Sequence, residues 1–104
     1  MQVAIIADTP RPASDVPACL SVHVDDVHAC VTPRSQAVDE HWRALELDVA
    51  TNAGAIFVDP TDWICPTDPC PPVISSRLVF PDYQHISAPL AELLTARLAY
   101  RLPG

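Results

Sequence analysis

Asp82 and His85 are the residues of this sequence whose types and spacing are best suited to catalysis. An imidazole acts as a general base at one ring nitrogen when a hydrogen-bond acceptor holds the other nitrogen. A carboxylate three residues earlier can be that acceptor if both residues lie on one short loop. Asp-x-x-His also occurs by chance, so the pattern alone favours a loop Asp and His that cap a helix or bind backbone.

The neighbouring residues predict the elements that must position this pair. Residues 78–80 form a strand-like run before Asp82, and Ser87 with Pro89 marks the beginning of a helix after His85. We predict this helix over residues 88–100, because one helical stripe is apolar: Leu90, Leu94 and Leu98.

A longer stretch of the sequence resembles a known family. The similar segments, in order, are Ile56-Phe57-Val58-Asp59-Pro60, Asp62-Trp63-Ile64-Cys65, Cys70-Pro71-Pro72-Val73, Leu78-Val79-Phe80-Pro81-Asp82 and His85-Ile86-Ser87. Together they resemble the end of an SGNH-type hydrolase domain, and more narrowly the extracytoplasmic SGNH domain fused to membrane acyltransferases of the acyltransferase-3 family. The resemblance implies that Asp82 and His85 complete a Ser-His-Asp triad, and that neither a cofactor nor a metal takes part.

The resemblance also implies the fold and the extent of the domain. The fold class is α/β, a partial three-layer SGNH (flavodoxin-like) fold with a short parallel sheet, two main helices and disulfide-fastened loops. Residues 1–104 resemble only the C-terminal part of the family domain. The family carries its nucleophilic serine in a Gly-Asp-Ser block and its oxyanion donors in later Gly and Asn blocks, whereas this sequence has only Gly54 and Gly104 and no Gly-Asp-Ser. We therefore expect it to be inactive alone.

The function implied by the resemblance is acyl transfer through a serine. The parent protein would O-acylate a cell-envelope carbohydrate or glycolipid outside the cytoplasm, tethered by an upstream membrane domain in the same chain. The alternative is a non-catalytic extracytoplasmic module that binds an envelope component or a partner protein, and a free-standing SGNH esterase is a third interpretation. A Gly-Asp-Ser block upstream, behind membrane spans, would favour the acyltransferase.

Composition limits the possible partners. The 104 residues suffice for one domain, and a net charge of −7 with six Arg and no Lys argues against nucleic acid as a partner. The segment around His23 and His28 could bind a divalent metal. Its residues lie in an acidic loop, where such side chains are commonly just solvated, so we predict no metal.

Four cysteines in a small acidic domain suggest an oxidising compartment. They allow three disulfide pairings, and structural zinc is a competitor, although the intervals within the pairs do not match the usual zinc spacing. The nearest-neighbour arrangement predicts Cys19–Cys30 and Cys65–Cys70, and the proline-rich turn between Cys65 and Cys70 favours the second bridge.

The remaining elements follow from periodicity and turn residues. We predict strands at residues 3–7 and 55–58, a long irregular loop at 9–34, and a hairpin formed by 73–74 and 77–80. A helix should begin at Ser35 and end at Gly54, with one apolar face: Val38, Trp42, Leu45 and Val49. A strand, a helix and a second strand make a parallel pair the default.

Overall fold

The computed structural model describes residues 2–102, and its parallel sheet has two strands. Strand β1 (Ala4–Ile6) pairs with β2 (Ile56–Val58), so that Ala4 lies opposite Ile56 and Ile6 opposite Val58. The parallel pairing is as predicted, although each strand is slightly shorter than the predicted range. The amide of Ala7 extends the pairing by donating to the carbonyl of Val58 at 2.8 Å.

The prediction that residues 9–34 are irregular is wrong. They contain helix α1 (Val16–Val22) and a short 3-10 helix (Val27–Cys30). The side chain of Asp15 caps α1 by accepting a hydrogen bond from the amide of Ala18. A proline in the first helical turn costs no hydrogen bond, because the amides of that turn have no helical acceptor. Proline content alone therefore did not exclude a helix here.

The single helix predicted to begin at Ser35 is two helices. Helix α2 (Arg34–Ala37) ends before Val38, and α3 (Glu40–Asn52) begins after Asp39, whose side chain accepts a hydrogen bond from the amide of Trp42 at 2.9 Å. Ser35 is inside α2 and is not a cap. The predicted end is correct, since Gly54 follows α3 with a φ of +69°, a conformation that glycine adopts without strain.

The predicted apolar face of this helix does not face the core. Trp42, Leu45 and Val49 are exposed, while the side of α3 that is shielded carries Arg43, Glu46 and Ala50. The break before Glu40 separates Val38, which is buried, from the apolar residues that follow it. A polar inner face is possible because Arg43 and Glu46 find partners at the end of the sheet.

Two short elements follow the sheet. Helix α4 (Thr61–Ile64) begins directly after β2, and the predicted hairpin is formed by β3 (Val73–Ile74) and β4 (Arg77–Leu78). The two residues of its turn, Ser75 and Ser76, have φ of 50° and 62°. Positive φ at both central positions defines the turn type that matches the twist of antiparallel strands.

Helix α5 (Ala88–Arg101) closes the main core. Ser87 caps it by accepting from the amide of Leu90, as the sequence predicted, and Leu90 and Leu94 of the apolar stripe are buried. The buried residues of this core come from α1, α4, the segment after β4 and α5: Val16, Ile64, Val79, Phe80, Leu90 and Leu94. Phe80 is its largest fully buried side chain. The loop that carries Asp82 and His85 is thus anchored at its beginning by this core.

Both predicted disulfides are present, Cys19–Cys30 and Cys65–Cys70. The first joins α1 to the 3-10 helix. The second is fully buried in a smaller cluster with Ala37 and Val38. Arg34 holds the loop around this bridge: its guanidinium donates to the carbonyl of Cys65 at 2.9 Å, and its amide donates to the carboxylate of Asp68.

The architecture is therefore mixed α/β, with a short parallel sheet, five α-helices and two disulfides in the described part of the chain. This is consistent with a partial SGNH fold, as predicted. Within residues 2–102, none of the helices is both long and apolar enough to span a bilayer.

Candidate functional site

Asp82 and His85 contact each other as the sequence predicted. Nδ1 of His85 lies 2.9 Å from Oδ2 and 3.0 Å from Oδ1 of Asp82. When Nδ1 donates to the carboxylate, a neutral imidazole keeps Nε2 free to accept a proton. The His85 side chain is 71% exposed, so nothing in the described part of the chain encloses the ring. The pair therefore has the internal geometry of a His–Asp base.

The Asp82 carboxylate also organises the loop backbone. Its Oδ1 accepts hydrogen bonds from the amides of Gln84 at 2.7 Å and His85 at 2.9 Å. Hydrogen bonds from the Gln84 amide and the His85 imidazole lower the pKa of Asp82 from its usual value. The carboxylate is thus held in the charged form that orients an imidazole and stabilises it once protonated.

Ser87, the serine closest to His85 in sequence, has a structural role. Its hydroxyl is buried, donates to the carbonyl of Leu78 and accepts from the amide of Leu90. Its amide donates to the carbonyl of Val79 at 2.8 Å. A hydroxyl that both donates and accepts a hydrogen bond in this way is not available as a nucleophile. The bonds to Leu78 and Val79 also fix the end of the loop that carries Asp82 and His85.

The loop lies next to the carboxyl end of the parallel sheet. Ile86, which follows His85, lines an apolar cavity of about 280 Å³ together with Ile6 and Val58, the last residues of β1 and β2. Leu94 and Leu98 of α5 form its other side. Open α/β sheets gather their ligand groups at this edge. Ile86, the residue that follows the pair, therefore borders the edge where such a fold forms its site, while Asp82 and His85 themselves do not line the cavity.

A second polar group at the same edge was missed by the sequence analysis. Asp59 follows β2 directly, and its carboxylate accepts from the guanidinium of Arg43 on α3, with 3.0 Å between Nε and Oδ2. Asp59 also accepts from the amide of Thr61 at 3.0 Å. Burial opposes its ionisation, but the hydrogen bonds from Thr61 and Arg43 outweigh burial and lower the pKa of Asp59. The available signal was an Asp directly after a predicted strand.

Asp8 lies two residues after the end of β1. Its amide donates to both carboxylate oxygens of Glu46 at 3.2 Å. Burial, together with the neighbouring carboxylates of Asp8 and Asp59, raises the pKa of Glu46 despite that hydrogen bond. Glu46 on α3 is therefore fixed at the end of β1 as Arg43 is fixed at the end of β2.

The histidines around the first disulfide show no metal-binding arrangement. Asp26 accepts from the amide of His28 and so caps the 3-10 helix. Within residues 2–102, no three His, Cys, Asp or Glu side chains are gathered closely enough to hold a metal ion.

A parallel sheet with an exposed Asp–His pair near its carboxyl edge characterises this chain as a mixed α/β domain of the SGNH class. Comparison with protein families agrees: a family model described as "SGNH domain (fused to AT3 domains)" matches residues 1–99. The chain belongs to this family of SGNH domains associated with AT3 acyltransferase domains. Neither a curated protein nor a solved structure matches the chain.

Proposed function

We propose that this chain is the part of an SGNH domain that supplies the His and Asp of a Ser-His-Asp triad. In the complete protein it would transfer acyl groups to a cell-envelope carbohydrate or glycolipid. The observation that carries the proposal is the Nδ1–Oδ2 contact of 2.9 Å between His85 and Asp82, with the ring exposed. His85 takes the proton from a serine supplied elsewhere in the complete domain, and Asp82 orients the ring and stabilises the imidazolium.

The family and the disulfides support the rest of the proposal. SGNH domains of this family are described as fused to AT3 domains, which supports the proposal of an acyltransferase domain in the same chain. The two disulfides fit an extracytoplasmic location, because such bonds persist in oxidising compartments. The acceptor is then an envelope glycan or glycolipid on that side of the membrane.

The test uses a complete protein in which this domain is joined to its acyltransferase-3 domain. His85→Ala should lower acyl transfer by at least a thousandfold, because loss of one triad member removes the effect of the whole unit. His41→Ala is the matched control, since His41 is an exposed histidine on α3, away from the pair. Thermal unfolding should be the same in both variants. Retained transfer in His85→Ala would refute the catalytic role and favour a non-catalytic binding module.

The 104-residue chain provides a second test. It should hydrolyse an activated acetyl ester no faster than free imidazole does, because Ser87 is engaged in the cap of α5. Turnover well above that rate, abolished by Ser87→Ala in a folded chain, would overturn the proposal that the nucleophile lies elsewhere.

A further inference from the structure

A polar cavity of about 480 Å³ opens outside the carboxyl ends of β1 and β2, beside α3. Its volume lies within the range of about 300–1,000 Å³ that small-molecule sites occupy. Asp8 and Thr61, which follow the two strands, line it, and Trp42, Arg43 and Glu46 line it from the helix. The cavity is separate from the Asp82–His85 pair, and neither residue lines it.

Several polar groups of this cavity are already held in place. Glu46 is fixed by the amide of Asp8, and Arg43 by Asp59 and Glu40. Thr61 is only 1% exposed, and its hydroxyl makes no hydrogen bond of full geometry in the described part of the chain, although it is close enough to the Asp59 carboxylate to help lower the pKa of Asp59. A poorly paired buried hydroxyl is costly, and a ligand in the cavity would supply a better partner.

The charges of the cavity indicate which ligands it admits. Three carboxylates line it, those of Asp8, Asp39 and Glu46, against two guanidinium groups, Arg11 and Arg43. Because Arg43 is also paired with acids outside the lining, the local field is negative and disfavours anionic ligands. A metal ion is not favoured either, since no group of three ligands is assembled in residues 2–102.

Trp42 adds an aromatic ring to the lining of the cavity. It is 49% exposed, so its indole ring is accessible to a ligand. The electron-rich face of an aromatic ring attracts the C–H groups on one face of a pyranose ring, while carboxylates and guanidinium groups bind its hydroxyls. The cavity thus combines an indole ring with hydrogen-bond acceptors and donors that are held in place. This combination is complementary to a neutral sugar.

We propose that this cavity binds a neutral pyranose unit of a glycan. That the bound glycan is the acyl acceptor rests on the function proposed above, but the binding itself does not. Thr9 lines both this cavity and the apolar cavity that Ile86 borders, so the two cavities adjoin at the carboxyl edge of the sheet. On the proposed function, a glycan held by Trp42 and Glu46 would extend past Thr9 toward the loop that carries His85.

The test is a titration of the 104-residue chain, ¹⁵N-labelled, with neutral oligosaccharides of glucose, mannose, rhamnose and N-acetylglucosamine, each to 20 mM. At least one should shift the amide signals of Asp8, Trp42 and Glu46 in a saturable way. Trp42→Ala should weaken that binding at least tenfold, and Thr61→Val several-fold. Tyr100→Ala is the matched control, because Tyr100 is an exposed aromatic residue outside the cavity and its loss should not change the affinity.

Several results would overturn the proposal. They are no saturable shift with any of the sugars, equal affinity of Trp42→Ala, tighter binding of trigalacturonate than of the neutral sugars, or saturable Ca²⁺ binding at Asp8 and Glu46. The outcome is distinguishable from that of the triad test. His85→Ala should leave sugar binding unchanged, so sugar binding with retained acyl transfer in that variant would refute only the catalytic role.

Discussion

Thr61→Val should stabilise the protein. Thr61 begins α4 with a fully buried side chain, and its hydroxyl makes no hydrogen bond of full geometry within residues 2–102, although it is close enough to the Asp59 carboxylate to help lower the pKa of Asp59. A buried hydroxyl without a well-formed hydrogen bond costs about 1–3 kcal/mol, and valine replaces it with a methyl group of nearly the same volume. The amide of Thr61 keeps its bond to Asp59. Because loss of the weak hydroxyl contact with Asp59 offsets part of the gain, we expect the free energy of unfolding to rise by about 1 kcal/mol.

The assay is urea denaturation at pH 7 with the disulfides intact, followed by circular dichroism. The midpoint should rise while the slope of the free energy against urea stays unchanged, because the exposed area on unfolding is the same. Thr51→Val is the matched control at an exposed position of α3 and should change stability by less than about 0.5 kcal/mol. A loss of about 1 kcal/mol or more in Thr61→Val would refute the reasoning, since it would mean that the contact between the hydroxyl and the Asp59 carboxylate is a full hydrogen bond.

Two further predictions concern the elements that hold the site region. Replacing both Cys65 and Cys70 with alanine should lower the free energy of unfolding by about 2 kcal/mol, because the disulfide no longer restricts the unfolded chain across a sequence separation of 5. A loss below about 0.5 kcal/mol in the same urea assay would contradict this prediction. Asp59→Asn should cost about 2 kcal/mol at pH 7, because it removes a charge-assisted bond to Arg43. The pKa of Asp59 is lowered in the folded protein, so the ionised carboxylate stabilises the fold above about pH 4, and this stabilisation disappears as the pH falls through the lowered pKa. If the difference in unfolding free energy between wild type and Asp59→Asn grew on acidification, this pH dependence would be contradicted.

The features that the sequence predicted are those set by local signals. Asp82 and His85 are three residues apart, the Ser87 cap adjoins its helix, and the hairpin depends on the two residues between its strands. The disulfides join nearest neighbours, so short loops sufficed to choose the pairing.

The features that the sequence did not predict depend on distant contacts. Arg43 and Glu46 lie on the shielded side of α3 only because Asp59 and the Asp8 amide are there to bind them. Periodicity assigns polar residues to solvent, so it placed Trp42 inside and these residues outside. The helical side of the proposed sugar-binding cavity is formed by these misassigned residues, Trp42, Arg43 and Glu46, so the cavity could not be predicted from periodicity.

The hydrogen bonds of the Asp82 loop have an evolutionary consequence. One carboxylate oxygen folds the turn, and the same carboxylate orients the imidazole, so four consecutive residues encode the internal geometry of the pair. The geometry of the pair is therefore encoded locally. The rest of the domain determines only the position and direction of the loop. An insertion elsewhere in the domain can therefore shift this loop as a unit and leave the Asp82–His85 contact intact, whereas a substitution of Asp82 alters the loop and the orientation of the imidazole together.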